Sequence, residues 1–451
     1  MHRSRCEPTG RPTCGNAELG FRHVRFHGLL SDDMGTLICH KEALLYSFFN
    51  AAQIIDFLLS IGMKPFVELS FMPETLASGS DTVFRYRGNV TPPRDYGGWA
   101  ILIKKLVRHW VERYGIGEVR QWYFEVWNEP NLIHFWSGTQ RDYFTLYRHT
   151  VETIKDVDVS LRVGGPATAQ SAWIPEFLEF CQQHDLPADF VSTHYYPTDA
   201  FGEIGADTET QLANAPRDVM RDRAAEAQRQ ARGRPLYYTE WNVSSNPRDV
   251  LHDQPFAAAY VVRILMNVND LVQGYSFWTC SDIFAENYFP SVPFHGGFGL
   301  LNIHAIPKPV YRAFELLHHL GTSQLRVQGV HETVDAWAVR KERSTTIVMT
   351  NHAQPRHPIS TVIVRVQVTN APEPRTAYVE RIDETHANPQ RAWVEMGEPM
   401  YLSTFEVEQL RAVSRVVKEP VGWRYDDRTI HLELALPPHS VAAITMELWE
   451  P

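Results

Sequence analysis

A (β/α)8 TIM barrel followed by a C-terminal β-sandwich, an α/β architecture, is the fold class that the sequence predicts, and three observations predict it. Short β-rich runs alternate with amphipathic helical stretches from about residue 22 to residue 320. The runs end in polar and aromatic residues, as barrel strands do where they line a site. After Gly321 the helical period gives way to short alternating strands with turns rich in Pro and Asn.

The β-rich runs fall at 22–27, 64–70, 122–127, 161–165, 189–194, 236–241 and 273–278. Amphipathic stretches between them include 99–114, 142–157, 211–231, 257–271 and 310–320. The strand ends read Arg-Phe-His, Glu-Val-Trp-Asn-Glu, Thr-His-Tyr-Tyr, Tyr-Thr-Glu-Trp-Asn and Phe-Trp-Thr. A doubly wound open sheet is the runner-up, but no Gly-rich phosphate turn follows a first strand. These runs make seven strand–helix units, and a barrel closes with eight. The missing unit should precede Arg22, where residues 1–17 carry Cys, Pro, Thr and Gly and no strand pattern. The expectation is therefore an irregular or truncated segment over 1–21, with the first barrel strand hidden or missing, a catalytic barrel over 22–321 and a β-sandwich over 322–451. An open barrel exposes unpaired strand edges, which threatens activity. Runs at 333–340, 345–350, 361–368, 376–381, 429–434 and 440–448 supply the sandwich, and with no flexible linker before them it should pack on the barrel.

Composition excludes whole classes. The 451 residues carry 43 Lys+Arg against 53 Asp+Glu, a net charge of −10, with no basic run, so neither nucleic acid nor an anionic membrane is expected as a partner. The most apolar helix-like stretch, 40–61, is interrupted by Glu42, Gln53 and Asp56 and is no membrane span. The basic start Met1-His2-Arg3-Ser4-Arg5 is followed by no apolar stretch of a secretory signal. Five scattered cysteines (Cys6, Cys14, Cys39, Cys181, Cys280) without a C-x-x-C argue against a disulfide framework or a zinc knuckle and fit a reducing cytoplasm. The 12 Trp and 18 Tyr suit a ligand with apolar faces, such as a sugar.

Two carboxylates stand out. Glu129 lies in Phe-Glu-Val-Trp-Asn-Glu-Pro-Asn and Glu240 in Tyr-Tyr-Thr-Glu-Trp-Asn, each at a strand end and each beside a Trp-Asn pair. Cleaving a glycosidic bond needs a proton donor for the departing oxygen and a second carboxylate for the oxocarbenium-like carbon. Repulsion and partial burial would keep one acid protonated and the other ionised. Helix capping or a surface ion pair explains most lone loop glutamates. Two in matched settings at strand ends are not explained that way.

The ordered motifs resemble glycoside hydrolase family 39, the β-xylosidase family within the clan of (β/α)8 retaining glycosidases. They are Val24-Arg25-Phe26-His27-Gly28, Asp32-Asp33-Met34, Phe71-Met72-Pro73, Trp127-Asn128-Glu129-Pro130-Asn131 with Phe135-Trp136, Val163-Gly164-Gly165-Pro166, His194-Tyr195-Tyr196-Pro197, Thr239-Glu240-Trp241-Asn242 and Phe294-His295-Gly296-Gly297-Phe298-Gly299-Leu300. The resemblance implies that Glu129, after the family's fourth strand, is the general acid/base and Glu240, after its seventh, the nucleophile. It implies that Asn128 bonds the sugar 2-hydroxyl, that Tyr196 donates to Glu240, and that His194 and His27 reach sugar hydroxyls. Trp278 would floor the sugar face, and Phe135 would form part of the wall. No cofactor or metal is implied, the substrate is a small glycoside or an oligosaccharide, and homo-oligomers are left open.

One departure bears on specificity. After Trp278 the family usually places two adjacent acids on the sugar hydroxyls, whereas this chain reads Asp282-Ile283-Phe284-Ala285-Glu286, so Ala285 takes the first position and Glu286 remains. Losing such a charge-assisted contact costs about 1.5–3 kcal/mol. Other motifs are weak: the glycines at 296–299 suit a tight turn better than a nucleotide loop, His318-His319 lies in no H-E-x-x-H, and no Gly-x-Ser-x-Gly is present. The first functional expectation is a retaining exo-glycosidase on β-linked xylosides, working through a covalent glycosyl-enzyme. A second is an α-L-iduronidase-like activity, which needs a cation for the sugar carboxylate that no Arg or Lys in these motifs plainly offers. A third is a sugar-binding protein whose catalysis lapsed with its first strand.

Overall fold

A computed structural model describes residues 16–198, 207–284, 286 and 291–448. The expectations about residues 1–15 and Ala285 lie outside the described residues. Seven parallel strands form one sheet in chain order: β1 (His23–Val24), β2 (Lys64–Leu69), β3 (Tyr123–Val126), β4 (Arg162–Thr168), β5 (Phe190–His194), β6 (Leu236–Trp241) and β7 (Gly274–Phe277). Among the described residues no eighth strand joins β1 to β7. Helices α1 (Phe49–Ser60), α2 (Tyr96–Tyr114), α3 (Gln140–Val157), α4 (Ile174–Gln183), α5 (Val219–Gln230), α6 (Pro255–Val268) and α7 (Pro309–His318) each follow one strand. Their starts are written in the sequence. Asp95 accepts from Gly97 and Gly98 at the head of α2, Thr139 and Asp142 close a capping box on α3, and α6 and α7 begin at Pro255 and Pro309.

Three local differences from the expected elements have simple causes. The stretch 40–61 is a β-hairpin, Leu37–His40 with Ala43–Tyr46, followed by α1. Its two-residue turn puts Lys41 and Glu42 at φ 48° and 68°, a turn made without the usual Gly or Asn signal. The stretch 211–231 is two helices, Thr208–Asn214 and α5, because Pro216 interrupts the ladder. Cys280 is disulfide-bonded, while Cys39 and Cys181 are free, so the fully reduced set expected from scattered cysteines does not hold. No helix among the described residues is long and apolar enough to cross a membrane.

The C-terminal part is antiparallel. Strands β8 (Ser323–Leu325), β9 (Val334–Lys341), β10 (Ser344–Asn351), β11 (Val362–Thr369), β12 (Pro374–Ile382), β13 (Glu419–Pro420), β14 (Arg424–Asp426), β15 (Thr429–Leu436) and β16 (Ser440–Leu448) form two sheets, ordered β8-β9-β10-β16-β12-β13 and β11-β15-β14. Ile347, Met349, Val379, Ile444 and Met446 from the larger sheet meet Ile430, Leu432, Leu434 and Leu436 from the smaller. The other face of the larger sheet, through Trp337, Val348, Val441 and Ala443, packs on Ala258, Ala259 and Val262 of α6 and on Ala313 and Leu316 of α7. Burial on both faces explains why β16 reads Val-Ala-Ala-Ile without alternation, whereas β15 alternates. Asp335 also receives Arg217 and the buried Arg263 across this seam. Two helices, Pro389–Glu395 and Thr404–Val413, sit between β12 and β13, where only strands were expected.

Candidate active site

The inward positions of the barrel strands stack in layers, two residues apart. The lowest holds four rings, Phe66, Tyr123, Phe190 and Tyr237, with centroids 4.9–5.9 Å apart. The Tyr123 and Tyr237 hydroxyls pair at 2.9 Å, and the Arg162 guanidinium lies 3.8 Å above the Tyr123 ring. Two residues further along, at Arg25, Glu68, Glu125 and Thr239, the lining becomes charged.

Arg25 is the hub of that layer. It donates from Nε to Glu125 (2.5 Å) and from Nη2 to Asn128 Oδ1 (2.8 Å), and it lies 2.8 Å from Glu68 and 3.3 Å from Glu240. Burial opposes charge on Arg25, but Glu125, Glu68 and Glu240 outweigh it and hold the guanidinium protonated more firmly than usual. Burial likewise opposes charge on Glu68, yet Arg25 and His27 bring its carboxyl below the ordinary range. A buried charge is tolerated only when paired in this way.

Above this layer the predicted site residues converge. Glu129 turns off the end of β3 with φ 43°, after Trp127 at φ 71°, and its amide donates to Ala167 O. Non-glycine residues in the left-handed region carry strain, here at the position that aims a carboxyl into the barrel. Glu240 is aimed by a different device. The β5–β6 and β6–β7 registers both slip around Thr239 and Glu240, so two consecutive residues face inward. Tyr196 Oη donates to Glu240 Oε1 at 2.7 Å, and burial together with the Glu240 charge keeps the phenol well above its ordinary range. His194 is fully buried between Glu129 (Nδ1, 3.0 Å) and Thr239 (Nε2, 3.1 Å). One oxygen of Glu129, one of Glu240 and one ring nitrogen of His194 all lie within 4.8 Å of one another. That spacing would also suit a cation, but hydrogen bonds to Glu129, Thr239 and Tyr196 account for the donor set.

His27 sits beyond Arg25, with Nδ1 2.7 Å from Glu68 and Nε2 3.5 Å from Glu286 and 3.7 Å from Glu240. Burial opposes its protonation, but Glu68 and Glu286 bring it up to about 9, so it is cationic at neutral pH. Burial pushes the Glu286 carboxyl up to about 8, against the pull of His27 and with the repulsion of Glu240, Glu68 and Glu129. The His27 ring packs 4.7 Å from Trp278 and stacks on Phe84, which in turn meets Phe135. The nine residues predicted for the site thus gather at one end of the barrel, with His194 fully buried among them.

The loop behind Trp278 and Glu286 is held from below. Asn242 donates to Trp278 O and Phe298 O, and the buried Lys308 lies 2.6 Å from Asp253 and 2.7 Å from Asp282 and donates to Gly297 O. A Cβ on Gly299 would fall 2.3 Å from the Asp282 amide, so glycine here serves close approach, in keeping with the tight turn expected.

The sequence reading missed Arg25 as a site residue, although it quoted it in a motif, and it missed Glu68, Glu125, Thr239 and Phe84. A signal was available: Arg25, Glu68 and Glu125 each lie inside a strand run, two positions before a residue at the strand's end.

The model of "Glycosyl hydrolases family 39" matches residues 11–429. The chain belongs to glycosyl hydrolase family 39. A β-xylosidase of Caldicellulosiruptor saccharolyticus is 50% identical over 436 residues, spanning 95% of this chain and 89% of the relative. A β-xylosidase of Geobacillus stearothermophilus is 39% identical over 448 residues, spanning 95% and 87%. The crystal structure of a monomeric β-xylosidase from Caulobacter crescentus superposes with a TM-score of 0.85 at 35% identity, over 96% of this chain and 91% of that one. This family 39 protein is a glycoside hydrolase.

Proposed function

We propose that this family 39 enzyme is a retaining exo-β-xylosidase, with Glu240 as nucleophile and Glu129 as acid/base. The observation that carries the reading is that one oxygen of Glu129 lies within 4.8 Å of one oxygen of Glu240. Retaining enzymes hold their carboxyls about 5–5.5 Å apart, and inverting enzymes need more room for a water. Glu240 accepts from Tyr196 and faces Arg25, which orients it as an attacking carboxylate. Its oxygen bonds the anomeric carbon as the glycosidic C–O bond breaks, and the Glu129 proton goes to the leaving oxygen. Glu129 then takes a proton from water, whose oxygen displaces Glu240 at the same carbon.

Asn128, fixed by Arg25, is positioned to meet the 2-hydroxyl. Trp278 offers a flat apolar face, Phe135 a wall, and the cationic His27 with the Glu286 carboxyl two polar groups for the remaining hydroxyls. The relatives named β-xylosidase support xylose as the sugar. Arg25 is a cation within the motifs after all, but Glu68, Glu125 and Asn128 occupy its donors, which speaks against an iduronate carboxylate as its partner. Turnover of an aryl β-xyloside tests the assignment. Glu240→Ala should lower kcat by about 10⁴-fold or more. Glu129→Ala should slow poor leaving groups far more than activated ones. Near-wild-type rates for both variants would defeat the reading.

A further inference from the structure

We infer that Thr239, through His194, is a positioning residue that keeps the proton on Glu129. The inference rests on the acid/base reading of Glu129 and follows from counting donors along one buried chain of contacts. Glu125 is ion-paired with Arg25 through Oε2, and its Oε1 accepts the Thr239 hydroxyl at 2.7 Å. A threonine hydroxyl has a single proton. With that proton given to Glu125, Thr239 Oγ1 can only accept from His194 Nε2, 3.1 Å away, so Nε2 carries the imidazole hydrogen.

His194 Nδ1 then presents a lone pair to Glu129 Oε1 at 3.0 Å. Two acceptors at that distance repel. The contact becomes a hydrogen bond only when Glu129 is protonated and donates. Protonating the imidazole instead is opposed by its complete burial, which brings His194 down to about 4, with Arg25 acting in the same sense against the pull of Glu240, Glu125 and Glu68. Among the described residues, the charged or titratable groups around Glu129 include Glu240 and Thr239's partner Glu125 from the strands, Arg25 through Asn128, Tyr196 after β5 and Glu286 after β7. The carboxylates among them also favour the neutral acid, but they do not set which His194 nitrogen carries hydrogen. That choice belongs to Thr239. The polarity serves both halves of the reaction. It stores the proton until a glycosidic oxygen competes for it. Afterwards it leaves an ionised Glu129 facing a lone pair, which makes that carboxylate a stronger base toward water.

The pH profile of kcat/KM on 4-nitrophenyl β-xyloside tests this, because its basic limb reports the free enzyme's acid. In Thr239→Val the imidazole is free to turn its hydrogen to Nδ1 and donate to ionised Glu129. The basic limb should move acidward by about one pH unit, and Thr239→Ser should return it. A Thr239→Val limb that superimposes on wild type overturns the relay. Glu129→Gln separates the two readings: if it retains the wild-type basic limb, Glu129 is not the acid, whatever Thr239→Val does. Should Thr239→Val fold poorly, ¹⁵N spectra of the wild-type imidazoles, with His194→Gln to assign the signal, decide the matter. A protonated Nε2 supports the relay and a protonated Nδ1 overturns it.

Discussion

The two ends of the barrel interior are built from the same strands and the same alternate positions, yet they solve opposite problems. At the N-terminal end, Phe66, Tyr123, Phe190 and Tyr237 fill the space with neutral rings, whose one shared hydroxyl pair satisfies itself. At the C-terminal end, one arginine and one cationic histidine are surrounded by Glu68, Glu125, Glu240 and Glu286. The floor is stable because its rings are neutral and its two hydroxyls partner each other. The mouth holds together because its charges pair with one another, and the same coupling moves His27 and Glu68 out of their ordinary ranges.

Changes at the mouth should therefore cost stability and chemistry together, while changes in the floor cost stability alone. The largest effect is expected for Arg25→Met, which strands Glu68 and Glu125 in the interior. Removing one partner of a buried pair costs about 3–5 kcal/mol, and Glu240 loses its orientation as well. Denaturant melts should show a lower midpoint, and residual xyloside turnover should be negligible. Phe66→Ala in the floor should cost a similar about 3–5 kcal/mol. Its folded fraction should nevertheless keep the wild-type kcat/KM and pH profile. A profile that moved would break the contrast between the two ends.

A smaller and graded effect concerns pH. The folded state holds His27 at about 9 against an ordinary value of 6.5. The native protein thus binds a proton that the unfolded chain releases above 6.5. The resulting stabilisation is whole below that value and is lost as pH rises through 9. Glu286, raised to about 8, acts with the same sign over a lower window. The melting temperature should fall between pH 6.5 and 9, and His27→Gln should flatten that slope. The smallest effect is expected for Tyr123→Phe, which removes one hydroxyl from the floor pair at about 1 kcal/mol, with kcat/KM untouched.

Legibility in the sequence followed the range of the interaction. Glu129 and Glu240 could be read because strand ends carry local signatures, a β-rich run closing on Trp-Asn beside an acid. The helical stretches 99–114, 142–157 and 257–271 could be read from their amphipathic period, although the helices begin a few residues earlier, at Tyr96, Gln140 and Pro255. The hairpin at 37–46 was hidden because its turn residues, Lys41 and Glu42, adopt positive φ without advertising it. The helices Pro389–Glu395 and Thr404–Val413 lay in a stretch where only strands were sought. The charged layer escaped because Arg25, Glu68 and Glu125 lie on three different strands, and each looks like an isolated polar residue until the strands are side by side.

By itself, the sequence determined the alternation of strands and helices, the change to a sandwich after Gly321 and the choice of Glu129 and Glu240 as candidates, since these depend on periodicity and on neighbours a few residues apart. Only the tertiary structure decided what surrounds those acids. The Arg25 ion pairs, the inward turn of both Thr239 and Glu240 at one bulge, and the contact of His194 with Glu129 join residues up to 215 positions apart. Electrostatic and hydrogen-bond energies depend on distance in space, and no local pattern in the chain records it.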